Sequence, residues 1–203
     1  EGNSEYARFQ YYDGRNPDWP EQVMRAELQF VLASTAAMRA DTRTVSNIIA
    51  DNVEPLNPVV TKGLTQMTMG APHSIYNGGL LRATVRYFDA ERHRPGLPLD
   101  VAALVDQLRP DRVGIQLFNL SPTQPRTLIV QAGAFGEHAF TDLQHNAAAE
   151  ATSLPVDSRH LAVQLPPSTA IRLDLGMRRF AHRPSYAFPW HGEKIPPTFP
   201  PLS

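Results

Sequence analysis

The stretch LRATVRY at residues 81–87 decides the fold, because apolar and polar side chains alternate along it one by one. Successive side chains of a β-strand point to opposite faces, so this pattern predicts a strand with one buried and one solvated face. Asn77-Gly78, a strong signal for a tight turn, comes just before it. The strand-forming part of the chain is therefore predicted to begin near residue 80.

The same alternation recurs toward the C terminus. Turn residues between neighbouring strands favour two hairpins, and short strands joined by turns predict an antiparallel β-sandwich in a mainly-β fold. One segment, 100–108, differs, because Val101, Leu104, Val105 and Leu108 fit one face of a short helix. The predicted hairpins join residues 113–117 to 128–132 and 161–165 to 171–175, with a short strand at 140–143 between them.

The first 71 residues are predicted to form two or three helices. Asp18-Trp19-Pro20-Glu21 combines a capping acid with a proline in the first turn, and apolar residues recur at helical spacing from there to residue 40. A short helix at 46–53 and another at 57–70, capped by Asn57, complete the segment. We therefore expect a helical N-terminal segment at 1–71, a β-sandwich domain at 72–183 and a Pro-rich C-terminal tail at 184–203.

The composition excludes several classes of function. The 19 basic and 20 acidic residues nearly cancel, which leaves no basic footprint for nucleic acid. No apolar run approaches the length of a membrane span, and without cysteine the chain has no disulfide or thiolate site. The motifs of nucleotide loops, zinc proteases and nucleophilic serines are absent, so we predict no cofactor and no metal.

One polar cluster has the residue types for chemistry. Glu137 and His138 follow two glycines on a predicted loop that closes a strand, where sites are often built. Adjacent side chains on an extended segment point apart, so both can serve one ligand only if Gly136 bends the chain. The alternative is a structural Glu and His that pair with nearby arginines and backbone groups.

A second group of residues suits sugar binding. Tyr11, Asp13 and Trp19 cluster before the first predicted helix, and aromatic rings beside carboxylates are what a glycosidase cleft needs. The same aromatics would equally anchor the N-terminal segment on the sheet, with Asp18 as the helix cap. His73 and Tyr76 lie at the junction between helices and strands, where a crevice could form.

Several stretches carry a resemblance to a known class of protein. They are YNGGLL at 76–81, RYFD at 86–89, RPGLP at 94–98, DVAAL at 100–104 and QAGAFGEH at 131–138. This part, about a third of the chain, resembles the C-terminal β-sandwich region of large bacterial α/α-barrel proteins of the six-hairpin glycosidase or linalool dehydratase/isomerase-like kind. Residues 1–70 are too few for such a barrel. The resemblance therefore implies the end of a larger protein, or a shortened relative without the catalytic part, and transfers no catalytic residue.

These observations favour a function without catalysis. We expect a β-sandwich accessory or scaffolding module that acts through protein–protein contacts, as a subunit of a larger bacterial assembly. Phe188, Trp190 and Phe199 in the Pro-rich tail are the candidate residues for docking on a partner protein. The alternative is a fragment of a carbohydrate-active enzyme or a sugar-binding module, so enzymatic activity is not excluded.

The origin and compartment of the protein are less determined. Arginine outnumbers lysine 17 to 2 and alanine is abundant, a usage typical of GC-rich bacterial genomes. We favour an exported or periplasmic location slightly over a cytoplasmic one. The ligand and the oligomeric state are left open by the sequence.

Overall fold

The computed structural model describes residues 3–44, 46–47, 56–71, 82–145 and 152–191. Within these ranges the N-terminal part is helical and the remainder is mostly strand, which confirms the predicted mainly-β fold with a helical N-terminal segment. The helices are α1 (Asn3–Tyr12), α2 (Trp19–Ala40) and α3 (Lys62–Met69). The strands are β1 (Val85–Asp89), β2 (Arg94–Pro95), β3 (Val101–Leu108), β4 (Arg112–Asn119), β5 (Arg126–Ala132), β6 (Ala139–His145), β7 (Thr152–Ser158), β8 (His160–Leu165) and β9 (Ala170–Arg178).

These strands make two antiparallel sheets that share one core. The first sheet has the order β2-β1-β5-β8, and the second has the order β3-β4-β9-β6-β7. Alternating apolar residues of both sheets are fully buried against each other, as the sandwich prediction requires. The buried side chains include Val85, Leu128 and Val130 from the first sheet and Val105, Ile115, Leu117 and Leu175 from the second.

The predicted helix at 100–108 is wrong, because the segment is the edge strand β3. Val101, Ala103 and Val105 are buried at every second position, a period that the helical interpretation overlooked. Pairing with β4 over its whole length then satisfies the backbone of β3 on one side. A bulge between Val105 and Gln107 shifts the register, so the strict alternation does not continue to Leu108.

The two predicted hairpins are also wrong, although their strands exist. β4 pairs with β3 and β9, whereas β5 pairs with β1 and β8, so the turn at 121–125 crosses between sheets. The turn at 166–169 likewise joins β8 of the first sheet to β9 of the second. Asn119 anchors both crossings, since its side-chain amide donates to the carbonyls of Gln124 (2.8 Å) and Leu165 (3.1 Å).

The N-terminal helices match the sequence in part. The predicted helix at 19–40 is confirmed, with Pro20 in its first turn, although the Asp18 side chain makes no capping hydrogen bond. The last helix begins at Lys62 rather than near residue 57, because Asn57 forms a local turn by accepting from the Val59 amide at 2.9 Å. α1 was not predicted, and most of the helix predicted at 46–53 lies outside the described residues.

Polar contacts fasten the helices to one another and to the sandwich. α1 and α3 pack against β3, and the Tyr87 hydroxyl on β1 donates to the Thr68 carbonyl on α3 at 2.6 Å. The Glu27 carboxylate of α2 accepts from the Gly63 amide at 2.5 Å, which satisfies a free N–H in the first turn of α3. No helix in the described ranges is long and apolar enough to cross a membrane. The division of the chain at residues 71 and 183 stays a prediction.

Candidate functional site

The loop at residues 133–138 turns the chain sharply between β5 and β6. Gly133 and Gly136 both have positive φ, at 86° and 64°, and the His138 amide returns to the Ala132 carbonyl at 3.2 Å. Inside this turn the Glu137 carboxylate lies over Gly133 and accepts from the Phe135 amide at 2.8 Å. The loop therefore holds a buried carboxylate, since Glu137 is only 6% exposed.

The bend brings Glu137 and His138 together. The His138 Nε2 atom lies 3.7 Å from Glu137 Oε1, while His138 Nδ1 accepts from the Phe180 amide at 3.0 Å. A ring that accepts at Nδ1 carries its hydrogen on Nε2, which points to the carboxylate. Burial lowers the pKa of His138, which keeps the ring neutral near pH 7.

The Nδ1 atom of His138 is thus occupied by a backbone amide of the protein, and its Nε2 atom faces the Glu137 carboxylate. A general base needs a free lone pair in reach of a substrate, and the only lone pair of this ring is taken by the Phe180 amide. Phe180 holds this position with a φ of 52°, unusual for a bulky residue, and its ring meets the imidazole edge at 4.9 Å between centroids. In this arrangement the pair joins the loop to the segment after β9.

A large cleft lies beside the loop, between the end of the first sheet and the C-terminal segment. Its volume is about 1070 Å³, and among the described residues its wall carries two arginines and two histidines but no carboxylate. We name it the cationic cleft. Its wall consists of Gln131, Phe135, Gly136, Arg159, His160, Ala181, His182, Arg183, Pro184, Ser185, Ala187, Phe188 and Pro189.

His160 in this cleft is held in one tautomer. Gln131 donates both amide hydrogens to the carbonyls of Gly133 and Ala134, each at 3.1 Å. Its oxygen must then accept from His160 Nε2, which lies 3.0 Å away. Burial lowers the pKa of His160 to about 4, helped by the positive charge of Arg159. His160 is therefore neutral at pH 7, with its hydrogen on Nε2.

A smaller cleft of about 480 Å³ has His138 in its wall. Arg82, Arg109 and Arg179 line it together with Phe180. The Arg179 guanidinium donates to the carbonyls of Arg109 (3.2 Å) and Pro110 (3.1 Å), so it closes the wall of this cleft.

The other predicted site residues lie elsewhere. Tyr11 and Trp19 are buried, at 7% and 4% exposure, and their rings pack together at 5.4 Å, which leaves little surface for stacking on a sugar. Asp13 is exposed and pairs with Arg15 at 2.9 Å. The sugar-binding edge stays a prediction, and His73 and Tyr76 lie outside the described residues.

The predicted docking residues of the tail contact the chain itself. Phe188 and Trp190 are half-buried, and their rings pack edge-on against Phe88 of β1 at 5.9 and 5.8 Å. Trp190 also stacks on His93 at 5.2 Å. Residues 184–191 thus cover one side of the first sheet, and Phe199 lies outside the described residues. Their docking on a partner stays a prediction.

Sequence reasoning missed the residues of the cationic cleft. Arg159 and His160 come just before and at the start of β8, and Arg183 follows β9 by five residues. Only the pairing of β5 with β8, together with the packing of the C-terminal segment, brings them to one place. The adjacent Arg159-His160 at the start of a strand was the one local signal.

A family model described as a domain of unknown function (DUF8034) matches residues 1–65, which contain α1 and α2. No curated protein matches the chain. A structure described as an alpha-N-acetylgalactosaminidase from Bacillus halodurans C-125 matches at 22% identity and a TM-score of 0.31, over 46% of this chain and 21% of that chain.

A second structure, described as an alpha-galactosidase from Bacteroides fragilis NCTC 9343, matches at 18% identity and a TM-score of 0.32. The match covers 41% of this chain and 19% of that chain, so this chain spans about a fifth of the length of either structure. The similarity to these two glycosidase chains is therefore weak and partial, and it does not decide the function.

Proposed function

We propose that this chain is a non-catalytic β-sandwich module that works through protein–protein contacts, with α2 as its contact element. The observation that carries the proposal is a stripe of apolar side chains on α2 that faces solvent. Met24, Leu28 and Leu32 are 40%, 58% and 61% exposed. We call these three residues the α2 stripe.

The α2 stripe is distinct from the face by which α2 is attached to its own chain. Trp19 and Ser34 are the buried residues of the helix, and Glu27 binds the first turn of α3. Met24, Leu28 and Leu32 follow one another at four-residue steps, so they lie in a row about 12 Å long on another face. Exposed apolar residues that form a row, rather than single ones, indicate a contact surface.

The size of the stripe fits a modest contact. Burying a whole leucine or methionine side chain contributes about 1.5–3 kcal/mol, and about half of each remains to be buried here. Three such residues contribute about 3 kcal/mol per copy before the cost of association. Because association itself costs several kcal/mol, these figures are compatible with a weak, reversible complex and not with a permanent one.

A second copy of the chain is the partner that the charges on α2 favour. In an antiparallel pair of α2 helices centred near Phe30, Leu28 of one copy lies opposite Leu32 of the other. Glu21 then lies opposite Arg39, and both are exposed, one in the first turn and one in the last turn of the helix. Opposite charges at the two ends set the direction and the register of such a pair.

The experiment is analytical ultracentrifugation of the full chain over a range of concentrations. We expect reversible dimerisation that Leu28→Glu abolishes, while Leu120→Glu, which changes a 68% exposed leucine after β4, leaves it intact. Glu21→Arg and Arg39→Glu should each weaken the dimer, and the double exchange should restore it. A monomer at about 100 µM, or an exchange without rescue, contradicts the pairing.

The engaged Nδ1 atom of His138 supports the non-catalytic part of the proposal. Glu137 accepts from the Phe135 amide and His138 accepts from the Phe180 amide, so the lone pair that a histidine base would use is engaged within the chain. The resemblance of residues 76–138 to the C-terminal sandwich of large bacterial α/α-barrel proteins fits an accessory role in such an assembly. That role, the bacterial origin and the exported location are proposals.

A further inference from the structure

The cationic cleft has an excess of positive charge that the protein itself does not neutralise. Neither the Arg159 nor the Arg183 guanidinium forms a hydrogen bond or an ion pair with any residue in the described ranges. Two acids in the neighbouring segments are already engaged, since Asp157 pairs with Arg178 at 3.1 Å and Glu137 accepts from the loop amide. An unpaired guanidinium group beside a cleft can bind an oxyanion by donating two parallel hydrogen bonds to it.

The titration of His160 reports the same positive field. The charges of Arg159 and His182 contribute to lowering its pKa to about 4, after the larger effect of burial. A field that opposes a proton on His160 attracts an anion to the same space.

The walls of the cleft are fixed before any ligand binds. Three backbone amides of the C-terminal segment donate to the loop side: Phe180 to His138 Nδ1 (3.0 Å), His182 to the Glu137 carbonyl (3.1 Å) and Ser185 to the Phe135 carbonyl (2.8 Å). On the opposite wall, Gln131 locks His160. A site that is already ordered loses little conformational entropy on binding.

The cleft is too large for an inorganic ion alone. Its volume of about 1070 Å³ is at the upper end for small-molecule sites. Phe135 and Phe188, both half-buried, line it beside Pro184 and Pro189, and such apolar residues pack against the apolar face of a small organic ring. The ligand therefore combines an anionic group with an organic body.

We propose that the cationic cleft binds a small organic anion of sugar-acid size, whose carboxylate or phosphate lies between Arg159 and Arg183. The anion accepts from the two guanidinium groups, and its ring packs on the aromatic and proline side of the cleft. This site is separate from the α2 stripe, so it can be present or absent whatever the oligomeric state.

The test is isothermal titration calorimetry of the full chain with three sugars that share one ring. Glucuronate carries a carboxylate, glucose 6-phosphate carries a phosphate, and glucose carries neither. We expect at least one of the two anions to bind at least tenfold more tightly than glucose, and the tighter of the two identifies the anionic group. Equal binding of all three, or no binding of either anion at about 10 mM, overturns the proposal.

Arginine variants locate the site. Arg159→Ala and Arg183→Ala should each weaken anion binding by about tenfold or more, the usual effect of losing a charge-assisted hydrogen bond. Arg159→Lys keeps the positive charge but not the forked guanidinium, so its affinity for the anion should lie between those of Arg159→Ala and the native chain. Arg15→Ala, which removes the same charge from an exposed loop, is the matched control. An equal loss of affinity in Arg15→Ala and Arg159→Ala contradicts a specific site.

Discussion

Replacing Gly133 by alanine tests whether the loop is built around the Glu137 carboxylate. Gly133 has a φ of 86°, and a Cβ at this position would lie 2.5 Å from the Cδ and Oε2 atoms of Glu137. The backbone conformation alone costs alanine about 1–2 kcal/mol. The carboxylate must also leave the Phe135 amide, and a lost hydrogen bond to a charged group costs about 1.5–3 kcal/mol. Gly133→Ala should therefore lower the free energy of unfolding by about 2.5–5 kcal/mol.

Urea unfolding measures this change, with Gly14→Ala as the matched control. Gly14 also has a positive φ, 78°, but nothing lies within 4 Å of a Cβ built on it, so its variant should lose only the backbone contribution of about 1–2 kcal/mol. In a Glu137→Ala background, Gly133→Ala should likewise cost only that amount. The reasoning is refuted if Gly133→Ala and Gly14→Ala cost the same, or if removing Glu137 leaves the cost of Gly133→Ala unchanged.

Three further predictions concern stability. The unfolded His160 takes up a proton near pH 6.5 and the folded one only near pH 4. The free energy of unfolding should therefore decrease as the pH is lowered from 6.5 to 4, by about 1–2 kcal/mol after allowing for solvent screening. His160→Gln should flatten that dependence in urea titrations at pH 7 and pH 4.5. Arg112→Met leaves Asp142 and Asp174, now bonded to Arg112 at 3.1 and 2.6 Å, without their partner, and should lower the midpoint of thermal unfolding through a loss of about 2–3 kcal/mol. Asn119→Asp removes the donors to the carbonyls at both sheet crossings, so it should destabilise more than Asn119→Ala in the same thermal scan.

The sequence predicted the elements better than their partners. The periods around Val85 and Ile115 are local, and both segments are strands as expected. The turn at 121–125 has the residues of a hairpin, yet it crosses between sheets, because the partner of β4 is set by packing of distant segments and not by the nearest strand. The sequence of β3 fits both the helical period and the strand period, so local pattern alone could not decide between a helix and a strand.

The candidate site was predictable only where it is local. Glu137 and His138 are adjacent, and the two glycines around them signalled the bend that brings them together. Arg159 and Arg183 are 24 positions apart, and they line the same cleft only because of strand pairing and the course of the C-terminal segment. The α2 stripe could not be predicted for another reason. The sequence of one helix shows which residues are apolar, but not which face of the helix packs against the rest of the chain.

The order of the strands has a consequence for how the chain acquires its structure. β1, β2, β5 and β8 alternate along the polypeptide with β3, β4, β6, β7 and β9, so neither layer is a continuous piece of the chain. A growing or refolding chain has to join β1 to β5, and β4 to β9, across long intervening stretches, and such high contact order is typical of slow folding. Neither sheet can be completed before the strands of the other sheet that lie between its own strands in the sequence have been placed. Both sheets are therefore expected to form in one concerted transition and to be lost in one.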